Sequence, residues 1–215
     1  MTNGLFITVE GVDGCGKTTQ ARLIAEACAR AGVDVLLLRE PGGAAISEKI
    51  RALLLDPGNG EMGDTCELLL YEAARAQLVH QVIAPALVSG KTVICDRFYD
   101  STTAYQAYAD GLDLESVKRA NDLAVGGCRP DLTIVFDIDV DLAASRRSGR
   151  AAADRLELKG LEFQRRVADG FRAIAAEEPD RVRMVDASRG VEEVFESVRR
   201  ELSRAGIAIE GGEGR

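Results

Sequence analysis

The sequence predicts an α/β protein built on a doubly wound, five-stranded parallel sheet. Short runs of apolar residues recur along the chain, and each is followed by a longer stretch with helical spacing. Strands that alternate with helices in this way form parallel sheets with helices on both faces. The predicted strands cover about residues 5–9, 33–38, 92–95, 132–136 and 181–185.

The predicted strands are nearly all apolar, which is typical of strands buried on both faces of a parallel sheet. The first stops at a glycine-rich loop, and the second is apolar apart from Asp34. The third and fourth stop at Asp96 and Asp137. Because ligands of such folds bind beyond the carboxyl ends of the strands, the residues at these ends are the first candidates for a functional site.

Helical spacing fills the intervals between the strands. The first helix is predicted over residues 17–31, with Leu23, Ile24 and Ala27 on one face and Gly32 at its end. The other helices are predicted at about 45–55, 65–89, 101–109, 114–126, from 140, 157–177 and 190–204.

Composition restricts the class of protein. The chain has 215 residues, of which 46% are hydrophobic and 29% charged, and we expect a single domain over residues 1–205 with a disordered tail at 206–215. The net charge of −8 argues against broad nucleic-acid binding, which needs a basic face. The apolar runs fall far short of the ~20 residues of a membrane span, and the N-terminus lacks the basic region of a signal peptide. We therefore expect a cytoplasmic protein that binds neither nucleic acid nor membranes.

Cysteine and histidine usage points away from several kinds of site. The five cysteines form no C-x-x-C pair, so we expect free thiols in a reducing compartment. The single histidine, His80, lies in a predicted helix with no motif around it, and we predict a structural role for it. A histidine-based metal site or a Ser-His-Asp triad could be built only around this residue.

A phosphate-binding loop follows the first predicted strand and opens the first helix. Residues 11–18 match the motif G-x-x-x-x-G-K-[ST]. Its glycines let backbone N–H groups turn toward phosphate oxygens, Lys17 would reach the β- and γ-phosphates, and the Thr18 hydroxyl would ligate Mg²⁺. The motif identifies a nucleotide phosphate site without naming a reaction. The predicted ATP-binding residues are Gly11, Val12, Asp13, Gly14, Cys15, Gly16, Lys17, Thr18 and Thr19.

A second carboxylate is expected at the end of a neighbouring strand, where it would hold Mg²⁺ or its waters. The sequence offers Asp96 and Asp137. Asp96 is followed directly by Arg97, so one strand end provides an anion for the metal and a cation for phosphate. Asp137 can serve to begin the next helix. We favour Asp96 and predict Thr18 and Asp96 as the metal-binding residues.

A series of motifs resembles those of thymidylate kinases. They are Phe6-Ile7-Thr8-Val9-Glu10-Gly11, Arg39-Glu40-Pro41-Gly42-Gly43, Glu48-Lys49-Ile50-Arg51, Tyr71-Glu72-Ala73-Ala74-Arg75, Asp96-Arg97-Phe98, Ser101-Thr102-Thr103-Ala104-Tyr105-Gln106, Arg129-Pro130-Asp131-Leu132-Thr133 and Asp154-Arg155-Leu156-Glu157. Many ATPases share a lone phosphate-binding loop, but this set runs in the family's order over about residues 5–200. The resemblance implies a P-loop nucleoside monophosphate kinase fold and transfer of the γ-phosphate of ATP to dTMP, with Mg²⁺, in dTTP synthesis. It also implies a homodimer, for which the helices at 45–55 and 65–89 are candidate interface material.

The residues and the resemblance agree on contacts to the acceptor's base. Tyr71 and Arg75 are four positions apart on one predicted helix, so they share a face. An aromatic ring can stack on a pyrimidine, and a guanidinium can donate to a base carbonyl. By resemblance these two residues contact thymine, although the family more often has Phe at the position of Tyr71. The resemblance also assigns Thr102 and Gln106 to the base and sugar, and Tyr105 to the ribose 2′ position.

Three arginines are expected to converge on the acceptor's 5′-phosphate. Two polyanions must come within bonding distance, and cations offset their repulsion. Arg39 and Arg97 each follow a predicted strand, and Arg51 is the third. The resemblance adds Pro41 and Ser101 to the substrate-binding residues and suggests a cis peptide bond before Pro41.

An arginine-rich stretch at about 146–156 is predicted to form a lid. Such a loop can close over ATP and supply an arginine to the transferring phosphoryl group. Some thymidylate kinases carry this arginine in the phosphate-binding loop, where the present chain has Gly14, so the chain resembles the bacterial type with the arginine in the lid. The lid arginines are Arg146, Arg147, Arg150 and Arg155, and we predict the role for Arg150 or Arg155.

The predicted catalytic chemistry is positioning and electrostatics, because a phosphate acceptor is already ionised and needs no strong base. By resemblance, Asp13 helps to place the acceptor's sugar or a Mg²⁺-bound water. The predicted catalytic residues are Lys17, Asp13, Arg97, Arg150 and Arg155.

Two other functions remain open at this point. A deoxynucleoside kinase would need a carboxylate base near the 5′-hydroxyl and fewer arginines, and the cluster of Arg39, Arg51 and Arg97 argues against it. The same fold also serves other nucleoside monophosphate kinases. A P-loop switch or partitioning ATPase would hydrolyse ATP without an acceptor, and the pair of Tyr71 and Arg75 argues against that.

Overall fold

The apolar runs form the strands of one sheet, as the sequence predicts. The computed structural model describes residues 4–147 and 155–207. Its strands are β1 Phe6–Glu10, β2 Val35–Arg39, β3 Thr92–Asp96, β4 Leu132–Asp137 and β5 Val182–Asp186. They pair in parallel in the order β2-β3-β1-β4-β5, which confirms the predicted five-stranded parallel sheet.

The central position of β1 explains its apolar sequence. It pairs with β3 on one side and β4 on the other, so that Ile7 lies opposite both Ile94 and Leu132. All five of its residues are buried. Since β1 also leads directly into the phosphate-binding loop, this loop projects from the middle of the sheet's carboxyl edge, between the ends of β3 and β4.

The strands alternate with helices along the whole described chain. The helices are α1 Lys17–Arg30, α2 Ala45–Leu55, α3 Asp64–Leu78, α4 Ala84–Val88, α5 Tyr99–Thr102, α6 Leu114–Val125, α7 Val140–Arg147, α8 Gly160–Glu177 and α9 Val191–Arg204. Short 3₁₀ turns occupy Pro57–Asn59 and Glu157–Lys159. None of the helices in the described ranges has the length and apolarity that crossing a membrane would require.

Two predicted helices are present but contain π-helical segments, which the sequence did not predict. A π-helical turn at Val79–Ile83 separates α3 from α4, and a longer π-helical stretch at Thr103–Ala109 continues α5. The first interruption precedes Pro85, which has no N–H to donate to the preceding turn and whose ring crowds that turn.

Parts of the predicted lid and tail lie outside the described residues. Residues 148–154, which include Arg150, and residues 208–215 belong to these parts. Of the predicted tail, Ile207 is described, and it packs against the main hydrophobic core. The five cysteines are free, as the sequence predicts.

Candidate active site

A cleft of about 230 Å³ opens at the carboxyl ends of β1, β2 and β3. The phosphate-binding loop borders one part of it, and side chains of α2, α3 and the α5 region border the rest. Most of the predicted site residues line this one cleft, namely Asp13, Lys17, Thr18, Arg39, Pro41, Arg51, Tyr71, Arg75, Asp96, Arg97, Ser101, Thr102, Tyr105 and Gln106. Gly11, Val12, Gly14, Cys15, Gly16, Thr19 and Arg155 are not among its lining residues.

The loop requires glycine at Gly14. Its φ of +92° lies in the left-handed region, which side chains rarely adopt. A Cβ at this position would overlap the carbonyl oxygen of Ala143 in α7 and would lie 3.0 Å from Cγ of Arg147. The loop therefore has no room for an arginine at this position.

Lys17 is held over the loop by its own neighbours. Its ammonium group donates to the carbonyl oxygen of Val12 at 3.3 Å and to the Asp13 carboxylate at 3.2 Å. Asp13 also lies 2.5 Å from Nη2 of Arg97. Although burial alone would raise the pKa of the Asp13 carboxyl, the charges of Arg97 and Lys17 together hold it well below its usual range. Asp13 thus joins the loop to the end of β3 as a charged carboxylate.

Thr18 and Asp96 form a pair of oxygen donors beside the loop. The Thr18 hydroxyl lies 2.5 Å from Oδ2 of Asp96, while Oδ1 of Asp96 is buried without a hydrogen-bond partner in the described part of the chain. Asp137 instead pairs with Arg172 at 2.9 Å. The described residues contain no cluster of three or more acidic, cysteine or histidine side chains that could hold a metal ion. A hydroxyl and one carboxylate suit Mg²⁺, which keeps several waters and substrate phosphates as ligands.

Arg97 is held in an unusual backbone conformation. It is the one non-glycine residue with positive φ, +73°, in the described ranges. The Glu10 carboxylate supports this turn, because it accepts hydrogen bonds from the Phe98 N–H and the Ser101 hydroxyl, both at 2.6 Å. The Arg97 guanidinium donates to the Ser101 hydroxyl at 3.0 Å and lies 5.2 Å from the centre of the Tyr105 ring. Burial, reinforced by Asp100, raises the pKa of Glu10 to about 8.

Arg75 lies at the far side of the cleft with 2% of its surface exposed. Its guanidinium donates to Glu40 at 2.9 Å and to Glu72 at 2.5 Å. It also donates to Asn121 at 3.3 Å and to Thr102 at 3.0 Å. These bonds engage four of the five N–H donors of a guanidinium, so one donor on Nη2 has no partner among the described residues. Burial, reinforced by Glu72 and opposed by Arg75, raises the pKa of Glu40 to about 7.

The peptide bond between Glu40 and Pro41 is cis, as the resemblance suggests. The Pro41 carbonyl accepts hydrogen bonds from Arg39 at 2.9 Å and from Arg51 at 2.8 Å. Arg39 also pairs with Glu48 at 3.1 Å. Arg39, Arg51 and Arg97 all line the cleft, so it has a cationic middle between the phosphate-binding loop and Arg75.

Comparisons with known proteins agree with this geometry. The model of the thymidylate kinase family matches residues 9–198. The thymidylate kinase of Geotalea uraniireducens is 47% identical over 196 residues, which cover 88% of this chain and 92% of that protein. That of Pelotomaculum thermopropionicum is 51% identical over 188 residues, covering 86% and 87%.

The chain belongs to the thymidylate kinase family. Among solved structures, the crystal structure of thymidylate kinase from Ehrlichia chaffeensis superposes with a TM-score of 0.77 at 36% identity, and the match covers 94% of this chain and 99% of that one. The fold is therefore that of a P-loop nucleoside monophosphate kinase.

The described arginines of the predicted lid occupy different places in this thymidylate kinase family member. Arg146 donates to the carbonyl oxygens of Ala187 and Ser188, both at 2.8 Å. The side chain of Arg147 lies against Gly14, since its Cγ is 3.0 Å from the position that a Cβ on Gly14 would occupy. Arg155 is buried: its Nε donates to the Leu54 carbonyl at 2.9 Å, and its Nη2 is paired with Glu67. The catalytic roles predicted for Arg150 and Arg155 stay predictions.

Sequence reasoning missed three buried glutamates that hold predicted site residues. Glu10 supports the turn at Arg97, Glu40 pairs with Arg75, and Glu67 pairs with Arg155. Glu10 and Glu40 stand inside the quoted motifs, and Glu67 precedes Tyr71 by four residues on the same helix. The spacing of Glu67 was thus a usable signal, because it places Glu67 on the same helix face as Tyr71 and Arg75.

Proposed function

We propose that this protein transfers the γ-phosphoryl group of ATP to dTMP in an in-line reaction assisted by Mg²⁺, for dTTP synthesis. Membership of the thymidylate kinase family supports the substrates. The observation that carries the proposal is the single cleft, which joins the phosphate-binding loop at Lys17 to a pocket lined by Tyr71 and Arg75. The cationic middle of the cleft suits the phosphates of both substrates.

Each group in the cleft has a role in this proposal. Lys17 would bind the β- and γ-phosphates, and Thr18 and Asp96 would hold Mg²⁺, which would supply positive charge against the phosphates. Arg39, Arg51 and Arg97 bind the acceptor's phosphate, and their charges offset the repulsion between the two anions. Asp13 contacts both Lys17 and Arg97, so it orients one protein cation toward each substrate's phosphates.

The pocket beyond these charges fits a thymidine nucleoside. Tyr71 provides a ring for stacking on the base, and the remaining N–H of Arg75 can donate to the thymine O4. Tyr105, whose hydroxyl lies 3.2 Å from Arg97, would stand against the ribose 2′ position. Pro41, Ser101 and Thr102 complete the wall of the cleft. We propose Arg150 or Arg155 as the lid arginine that stabilises the transferring phosphoryl group.

A coupled ADP-release assay with Mg²⁺-ATP tests the proposal. It compares dTMP, dUMP, dCMP, dAMP, dGMP, thymidine and no acceptor. We expect turnover with dTMP far above that with every other compound. Acceptor-independent hydrolysis, or a preference for thymidine, would contradict the assignment of the arginines to an acceptor phosphate.

We further propose a homodimer in the cytoplasm. Ile46 and Leu53 of α2 and Leu69 of α3 are between 51% and 60% exposed, on the two helices that the sequence suggests as interface material. Sedimentation equilibrium should give about twice the mass of the chain. Replacing Leu53 with Glu should shift the distribution toward monomer, and a wild-type monomer would contradict the proposal.

A further inference from the structure

Glu67 is a fully buried charge beside the acceptor end of the cleft. Its side chain has 0% of its surface exposed, yet it belongs to α3 near the start of that helix. Burying a carboxylate is costly unless it is paired and hydrogen-bonded. Three donors satisfy it: Nε2 of Gln106 at 2.7 Å, the Arg155 guanidinium, and Nζ of Lys159 at 3.4 Å.

One of these donors, Gln106, belongs to the wall of the cleft. Its amide nitrogen is engaged by Glu67, and its amide oxygen has no hydrogen-bond partner among the described residues. An ionised carboxylate only accepts hydrogen bonds. The amide of Gln106 must therefore turn its nitrogen toward Glu67, and its oxygen stays available on the cleft side.

The cleft then offers one acceptor and one donor to a base. The acceptor is the oxygen of Gln106, and the donor is the remaining N–H of Arg75, whose orientation Glu40 and Glu72 fix. Thymine and uracil present an N3–H donor next to the O4 acceptor, which complements this pair. Cytosine presents an N3 acceptor next to a 4-amino donor, so both contacts would oppose like groups.

We propose that Glu67 is a specificity-determining positioning residue: it fixes the amide orientation of Gln106, and this orientation selects an acceptor base with N3–H over cytosine. The inference rests on the proposed function, because it concerns the choice among pyrimidine monophosphates in the same cleft. Glu67 itself touches no substrate. Its ion pairs with Arg155 and Lys159 keep its carboxylate in place, and Lys159 is held in turn by Asp110 at 2.7 Å.

The test is the ratio of kcat/KM for dTMP to kcat/KM for dCMP. In Glu67→Gln, the new amide can donate to the Gln106 oxygen, so Gln106 can turn its nitrogen toward the cleft and accept cytosine. We expect the ratio to fall by at least about tenfold. The reversed amide would remove the unfavourable contact with cytosine and would create one with thymine, and an unsatisfied buried hydrogen-bonding group is costly. Glu61→Gln, the same change at an exposed residue just before α3, should leave the ratio unchanged.

Two further variants keep the inference falsifiable if Glu67→Gln does not fold. Gln106→Met removes the amide at similar volume, and we expect the same loss of discrimination. The exchange variant Glu67→Gln with Gln106→Glu keeps one carboxylate in the pair and presents only acceptors to the cleft, so it should recover a preference for dTMP. Folding of each variant is checked by thermal unfolding.

The outcomes separate the inference from the proposed function. A wild-type enzyme without preference for dTMP over dCMP would contradict the proposed function and the inference together. A selective wild type, with a folded Glu67→Gln or Gln106→Met variant that keeps the ratio within about twofold, would overturn the inference alone.

Discussion

The Thr18 hydroxyl and the Asp96 carboxylate lie 2.5 Å apart, although 78 residues separate them in the chain. Thr18 is the second residue of α1, and Asp96 is the last residue of β3, which pairs directly with β1. The parallel pairing therefore brings the two oxygen donors together at the sheet's carboxyl edge. These two oxygen donors are the residues that we propose would hold Mg²⁺ together with the nucleotide phosphates.

Replacing Asp96 with Asn should reduce activity through the metal. The amide keeps the shape but loses the charge, and we expect a loss of about 10- to 100-fold in kcat/KM together with a higher Mg²⁺ concentration at half-maximal rate. Asp137→Asn, at the end of the neighbouring strand β4, is the matched control, because Asp137 pairs with Arg172. Equal Mg²⁺ titration curves for the two variants would contradict the role of Asp96.

Replacing Arg75 with Lys should weaken acceptor binding. Lysine keeps the charge but has three donors on one nitrogen, so it cannot serve Glu40, Glu72, Thr102 and a base together. We expect KM for dTMP to rise by at least about tenfold while KM for ATP changes little. Steady-state kinetics with each substrate varied in turn measures this. Arg172→Lys on the surface of α8 is the control, and parallel increases in both KM values would count against a base contact.

Glu10 should make the folded protein less stable as the pH rises toward 8. Burial raises its pKa from 4.5 to about 8, so between these values the folded protein keeps a proton that the unfolded chain releases. The free energy of unfolding then falls with rising pH, by up to about 1.4 kcal/mol per unit. Glu40, with its pKa raised to about 7, acts in the same direction only up to that pH.

Glu10→Gln removes one of these two titrations. Urea denaturation of this variant should therefore show a flatter profile between pH 7 and 8 than the wild type, because Glu40 no longer contributes there. Glu61→Gln removes an exposed carboxylate and serves as the control. Parallel profiles for Glu10→Gln and wild type would show that Glu10 does not gain a proton on folding.

Replacing Gly14 with Ala should damage the phosphate-binding loop. The left-handed φ alone costs about 1–2 kcal/mol, and the clash with the Ala143 carbonyl adds to it. Gly32→Ala separates the two effects, because Gly32 has a φ of +78° but open space around it. We expect Gly14→Ala to unfold at lower urea concentration than Gly32→Ala and to raise KM for ATP. Equal unfolding midpoints would contradict the steric account.

Replacing Arg150 with Ala should lower kcat by about 100-fold or more if it meets the transferring phosphoryl group. Single-turnover kinetics with saturating ATP and dTMP isolates the chemical step. Arg165→Ala removes a surface arginine that pairs with Asp141 and should leave kcat unchanged. A kcat within about twofold of wild type would remove Arg150 from the catalytic residues and leave Arg155 as the candidate.

The sequence alone predicted the structure correctly where the signal lies in neighbouring residues. The apolar runs, the glycine-rich loop and the four-residue spacing of Tyr71 and Arg75 each predicted the element that the structure contains. It did not predict features that depend on contacts between residues far apart in the chain. The turn at Arg97 depends on the hydrogen bond between Glu10 and Phe98, which are 88 positions apart, and the burial of Glu67 depends on Arg155, 88 positions later. A lone glutamate in a helix is usually solvated, so the spacing of Glu67 from Tyr71 indicated its helix face but did not predict its burial.

Helix α3 carries Glu67, Tyr71 and Arg75 at successive intervals of four residues. Each interval advances about 6 Å along the axis and turns about 40° beyond a full rotation, so the three side chains wind gradually around one face. Two residues proposed to contact the acceptor base, and the residue proposed to orient Gln106, thus lie on one helix. The residues proposed to bind the ATP phosphates lie instead in the loop that follows the central strand. We accordingly expect substitutions in α3 to change the preference among acceptor nucleotides while leaving the phosphate-binding loop intact.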